Sequence, residues 1–180
     1  MNYDSKKDTE THILTVLRYI AVVCSALLGR ATDHDASKLA EPEKSIFDEF
    51  TPKLKTSTYG SEEYKSFLTE MGTALKHHYE NNRHHPEHFI YYECNGCFKR
   101  FDKEPKVCDI CGYSQFTNRS DISQMTLVDI IEMLCDWKAA TERHVDGDIL
   151  KSLDVNKKRF EISDQLVSIM RNTVKDLGWD

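Results

Sequence analysis

The sequence predicts an all-α fold interrupted by one small cysteine module. Three observations lead there. Apolar residues recur at helical spacing over most of the chain, residues 91–117 change character abruptly, and the composition is ordinary for a folded domain. Of 180 residues, 39% are hydrophobic and 30% charged, enough apolar material for one packed core and too much for disorder. The net charge is −6 and the pI about 5.8. No basic stripe is present, which argues against general nucleic-acid binding.

The elements follow in order. The most apolar run, ILTVLRYIAVVCSALL at 13–28, holds Arg18, Tyr19 and Ser25 and is shorter than a membrane span normally needs. A mixed-charge start precedes it and no clean cleavage site follows. The expectation is a buried core helix from Thr9 to Gly29, no membrane contact and a cytoplasmic protein. A turn-rich segment follows, in which Asp33 would cap a short helix carrying His34, Asp35 and Lys38. Thr51-Pro52 and Tyr59-Gly60 bracket an expected loop. Ser61 then opens a helix to about Tyr79, with Glu62 and Glu63 at its positive end. Helical patterning returns over about 123–143 and 158–177. In the last stretch, Phe160, Ile162, Leu166, Ile169 and Met170 should close the core, with Trp179 packed at its end.

The six cysteines are of two kinds. Cys24 and Cys135 sit alone in apolar helical runs, where a buried inert thiol is expected. The others form Cys94-x2-Cys97, ten residues, then Cys108-x2-Cys111. Each pair lets two thiolates grip one ion from a tight turn, and two such knuckles close a tetrahedral Zn²⁺ site. Gly96 and Gly112 offer the permissive backbone those turns need, and the intervening residues can form a small hairpin. Without an export signal, metal explains the four better than disulfides do. A closed four-thiolate site has no open position, so its expected role is structural. It would staple an insertion too small for its own core, cover a pocket or engage a protein partner.

Histidines cluster elsewhere: five of the eight fall between His77 and His88, in KHHYENNRHHPEHF. On the helix from Ser61, the apolar stripe Tyr64, Phe67, Leu68, Met71, Leu75 continues into His78, whereas His77 falls on the polar side. His78 is therefore the inward ligand candidate. His12 precedes Val16 and Ile20 on the face of the first helix expected to be buried. His34 and Asp35 are adjacent, so their side chains diverge by about 100° and can serve two ions. Lys38 is placed to cover an anion bound there. Beyond His78 come Asn82, Arg83, His84, His85 and His88. Later, Asp129, Glu132 and Asp136 share one helical face, opposite an apolar stripe of Leu127, Ile130, Ile131, Leu134 and Trp137. Such a face is usually solvated, but Met125, Met133 and Ala140 interleave with these acids, which favours a pocket. His144, near Asp146 and Asp148, is expected in an exposed loop.

This order of residues resembles the HD superfamily of metal-dependent phosphohydrolases: an early His, an adjacent His-Asp pair, later histidines and a closing Asp on a helical bundle. His12, His34-Asp35, His78, His84 or His85, and Asp136 or Asp129 follow it, and Asp136 is favoured because small helical residues follow. HDASK is similar to the family's HD-x-x-K form. HHYENNRHHPEH and EMLCDWKAA resemble an uncharacterised group of HD-like proteins from bacteria and their phages. The resemblance covers about residues 10–90 and 120–145. It implies an HD-like helical domain at 1–90 and 118–180 with a zinc-ribbon module inserted at 91–117. It also implies one or two divalent ions at the histidine site, of the Mn²⁺, Fe²⁺, Co²⁺, Ni²⁺ or Zn²⁺ type. Asp35, Lys38, Asn82, Arg83 and His88 would serve catalysis by holding metal, offsetting charge or orienting substrate. The implied substrate is a nucleotide or related phosphate ester. Two rivals remain: a non-enzymatic protein that binds a partner through its zinc ribbon, and a di-iron oxygenase on an HD-like fold.

Overall fold

The structure is a computed structural model that describes residues 3–58, 61–143 and 147–180. His144 and Asp146 therefore lie outside the described residues, as does the expected Tyr59-Gly60 turn. The chain is mostly helical, 64% helix and 7% strand, and falls into two compact units, Met1–His34 and Asp35–Asp180.

The first unit is one helix, α1 (Lys6–Asp33). It passes straight through Gly29, because one glycine costs a helix only about 1 kcal/mol and strong helix formers flank it. The threonines Thr11, Thr15 and Thr32 turn their hydroxyls back onto carbonyls one turn earlier, at 2.8–2.9 Å. The expected core helix is not observed: no residue of α1 is buried. A unit made of one helix has no interior of its own. Ile13, Leu14, Val16, Leu17, Ile20 and Cys24 are exposed. By length and composition the helical stretch Lys6–Leu39 is long and apolar enough to cross a membrane, with mean hydropathy 1.8 over 18 residues.

The second unit opens on a 3₁₀ turn (Ala36–Leu39) and continues into α2 (Lys44–Thr56) and α3 (Glu62–Asn81). The sequence suggested a loop from Thr51-Pro52 onward, where the second half of α2 runs. The helix tolerates Pro52 in its second half, and Phe50 anchors it edge-on against Phe67 of α3, with ring centroids 6.2 Å apart. As expected, Ser61 caps α3, its hydroxyl accepting from the Tyr64 N–H at 3.1 Å. Gly72 breaks the helix geometry midway (φ 41, ψ −109).

A 3₁₀ turn (Pro86–Phe89) leads into an antiparallel sheet of β1 (Ile90–Cys94), β2 (Arg100–Phe101) and β3 (Phe116–Ser120), in the order β2-β1-β3. The hairpin joins β1 to β2 around the first knuckle, rather than lying within the ten-residue loop.

Three helices complete the unit: α4 (Leu127–Thr141), α5 (Ile149–Arg159) and α6 (Asp164–Asp176). Their core includes Met133, Leu134, Trp137, Leu153, Phe160, Val167, Met170 and Val174, with Trp179 packed against it. Helix α5 escaped the sequence reading because its buried positions are Ile149, Leu153 and Asn156, an apolar stripe cut short by an amide. Its start is fixed by Asp148, whose carboxylate accepts from the N–H groups of Leu150 and Lys151. On α4 the expected faces are partly exchanged. Asp129 and Glu132 are buried, while Leu127 is 76% and Ile131 40% exposed. Cys135 is exposed as well.

Candidate metal centres

Three local features bring the histidine-rich segment together. On α3, the spacing that buries Met71 and Ala74 also turns His78 inward, to 1% exposure. His77, one residue back, keeps a side chain 39% exposed. The helix ends where Asn82 takes extended backbone, and Pro86 keeps His85 extended too (φ −85, ψ 126). The chain doubles back, so the His85 ring lies 4.7 Å from that of His78 and 4.2 Å from that of His84. Asp35 meanwhile adopts a left-handed conformation (φ 56, ψ 15), which aspartate tolerates better than most residues.

The four residues converge. Oδ1 of Asp35 lies 3.3 Å from Nε2 of His78 and 3.5 Å from Nε2 of His84. Nε2 of His78 lies 2.8 Å from Nε2 of His85. One ligand-type atom from each of Asp35, His78, His84 and His85 falls within 4.8 Å of all the others. The other ring nitrogens meet buried carboxylates: Nδ1 of His78 is 2.9 Å from Glu43 Oε2, and Nδ1 of His84 is 3.1 Å from Glu132 Oε1. Burial above all, and then the nearby Lys38 ammonium, pull the pKa of His78 below the usual imidazole range, against Asp35 and Glu43. A neutral imidazole is the form that binds metal. Three imidazoles and a carboxylate suit a first-row transition ion.

The remaining predicted residues divide. Lys38 pairs with Asp35 at 2.6 Å. Asn82 braces the cluster, its amide donating to Ser37 Oγ and to the His78 carbonyl, both at 2.8 Å. Arg83 pairs with Asp129 at 3.2 Å and stacks over the Phe89 ring. His88 places Nδ1 2.9 Å from the Tyr79 carbonyl near the end of α3. Both are thus engaged in holding structure. Asp129 closes a capping box with Thr126. Burial opposes its ionisation, but the Thr126 N–H and hydroxyl and Arg83 hold its carboxyl below the usual range. Asp136 is half-buried and brings an oxygen within 4.8 Å of one on Asp35. His12 is exposed on α1 and His34 caps the end of that helix. Both belong to the first unit, whereas this cluster is built from the second.

The cysteines form a second group. Sγ of Cys94 lies 3.5 Å from that of Cys111, and Cys97 from Cys108 likewise, close to the edge of about 3.8 Å that follows from tetrahedral Zn–S bonds of about 2.3 Å. The knuckles are near repeats: the N–H of Phe98 donates to the Cys94 carbonyl at 2.8 Å, and that of Gly112 to Cys108 at 2.9 Å. The left-handed residue of the first knuckle is Phe98 (φ 60), matching Gly112 (φ 72) in the second. Gly96 answers to space instead, since a Cβ there would stand 3.1 Å from the Tyr113 ring and 3.2 Å from Cys111 Sγ, tighter than ordinary contact. Burial opposes ionisation of Cys108, yet the N–H groups of Cys111 and Ile110 bring its thiol down to about 7.

A family described as "Family of unknown function (DUF5662)" matches residues 1–176. The chain belongs to this family. Comparison with curated proteins and with solved structures finds no match. The DUF5662 match spans the histidine cluster, the acids of α4 and the four cysteines together. Beside the cluster this DUF5662 chain has a cavity of about 530 Å³, whose lining includes His85, Asp136, Tyr64, Tyr79, Trp137 and Lys151.

Sequence reasoning missed Glu43, and it named Glu132 for a pocket without giving it a part in the histidine site. Glu132 carried a signal, one turn from Asp129 on the acidic face of α4. Glu43 carried none, because it opens a helix that Pro52 disguised.

Proposed function

We propose that this protein is a metal-dependent phosphohydrolase of the HD type, acting on a nucleotide or related phosphate ester. The observation that carries the reading is the convergence of Asp35, His78, His84 and His85 within 4.8 Å of one another, with buried carboxylates behind two of the rings. Paired carboxylate–histidine contacts of this kind orient metal ligands. Asp35, His78, His84 and His85 would hold a divalent ion, with Asp136 at hand beside Asp35. When bound, the ion supplies a water of lowered pKa and polarises a phosphoryl oxygen. Lys38, paired with Asp35, would offset negative charge developing on a phosphoryl group held there. The adjoining cavity is of ordinary ligand size, and its aromatic walls and Lys151 suit a compound with a flat ring and an anionic group. The four cysteines would hold a structural Zn²⁺ as thiolates, in keeping with a cytoplasmic setting, and leave the module able to engage a protein partner.

Elemental mass spectrometry of purified wild type and Asp35→Ala tests the reading. We expect one zinc per chain in both, and one or two further ions in wild type only. Supplied with Mn²⁺ or Ni²⁺, wild type should release phosphate from a panel of nucleoside phosphates, and Asp35→Ala should not, at unchanged helical circular dichroism. Zinc alone in both proteins, with no uptake of added Mn²⁺ or Ni²⁺, would sink the hydrolase and favour the partner-binding protein. Iron with oxygen uptake would replace it by the oxygenase.

A further inference from the structure

Glu43 has no part in the ligand set, yet it is among the most enclosed side chains of the protein, at 0% exposure. A carboxylate in that position is costly unless it is fully hydrogen-bonded. Three groups meet it: Nδ1 of His77 at 2.7 Å on Oε1, and Nδ1 of His78 at 2.9 Å and the Ser37 hydroxyl at 3.0 Å on Oε2. It also stands at the head of α2, at the positive end of the helix dipole.

The consequence falls on His78. The groups that meet Glu43 are all able to donate, so its Oε2 acts as the acceptor, Nδ1 of His78 carries the proton and Nε2 the lone pair. Asp35 Oδ1, 3.3 Å from Nε2, draws the proton the other way over a longer distance. Ser37 is the neighbour that could reverse this assignment. Its hydroxyl lies 3.3 Å from Nδ1, but its single hydrogen is given to Glu43, as the two hydrogens of the Asn82 amide are given to Ser37 Oγ and the His78 carbonyl. Without Glu43 the Ser37 hydroxyl is free to donate to Nδ1, which moves the proton to Nε2, onto the side that faces Asp35 and His85.

We propose that Glu43 is a positioning residue that holds His78 as its Nδ1–H tautomer and so presents the Nε2 lone pair to the cluster around Asp35. Its value for metal binding rests on the hydrolase reading above; the tautomer itself does not. With His78 held in this form, the 2.8 Å contact between its Nε2 and Nε2 of His85 makes His85 the donor.

Long-range ¹H–¹⁵N correlation spectra of the zinc-loaded protein, without other metal, test the assignment directly. Wild type should show His78 protonated at Nδ1 and bare at Nε2. In Glu43→Leu the proton should move to Nε2, while Glu43→Gln, whose amide oxygen still accepts, should keep the wild-type pattern. Calorimetric titration with Ni²⁺ should then show affinity lower by about 10–100-fold in Glu43→Leu, with most of it retained in Glu43→Gln. An Nε2–H tautomer for His78 in wild type overturns the proposal even if the leucine variant fails to fold. An Nδ1–H tautomer in a wild type that takes up no Ni²⁺ overturns the hydrolase reading and leaves the role of Glu43 standing.

Discussion

His78 shows how one buried titratable residue couples folding to pH. Its pKa in the folded chain lies below the usual 6.5, mainly through burial. As pH falls, the unfolded chain therefore takes up the proton first, and stability rises with pH wherever that is so. The contribution of His78 is present above about pH 6.5 and is lost as pH drops through the lower folded value. Urea unfolding of metal-free protein from pH 7.5 to 5.5 should show wild type losing more stability on acidification than His78→Gln. Equal slopes would mean that His78 is not the group responsible.

At the scale of one element, the first cysteine knuckle carries a cost that the second avoids. Phe98 sits at φ 60 and is 71% exposed, so little burial offsets a left-handed conformation that costs a residue with a side chain about 1–2 kcal/mol. Glycine removes that strain but adds about 0.5–1 kcal/mol of chain entropy. The strain is the larger of the two, so Phe98→Gly should stabilise the zinc-loaded protein by up to about 1.5 kcal/mol, read as a rise in thermal midpoint. A fall would show that the ring makes a stabilising contact. The same logic explains why Gly96 and Gly112 are not equivalent: one answers a shortage of space and the other a positive φ.

Across the second unit, stability has two separate sources. The core of α4, α5 and α6 draws no side chain from residues 90–120. The three-stranded sheet gathers around four thiols, of which Cys94 and Cys108 are buried. A sheet this small would depend on the metal proposed for its four thiols, whereas the helices would not. Cys108→Ser should therefore lose zinc and, by hydrogen exchange, lose protection over residues 90–120 while keeping it over 127–176. Loss of protection in both regions would show that the module supports the helical core.

Residue types and short spacings by themselves determined much of this protein. The paired CxxC motifs, the cap at Ser61 and the inward turn of His78 are local matters, settled within one turn or one helical period. What the tertiary structure alone decided is which distant groups meet. Asp129 and Asp136 shared one helical face, and only the resemblance favoured Asp136; the fold gives the first to a capping box and Arg83, and brings the second beside Asp35. Glu43 and Glu132 gain their importance only from the histidines they face, 35 and 48 positions away. Helix α1 read as core because its composition is apolar, but burial depends on what packs against a helix. Periodicity reports the face a helix turns, never the partner that face will find.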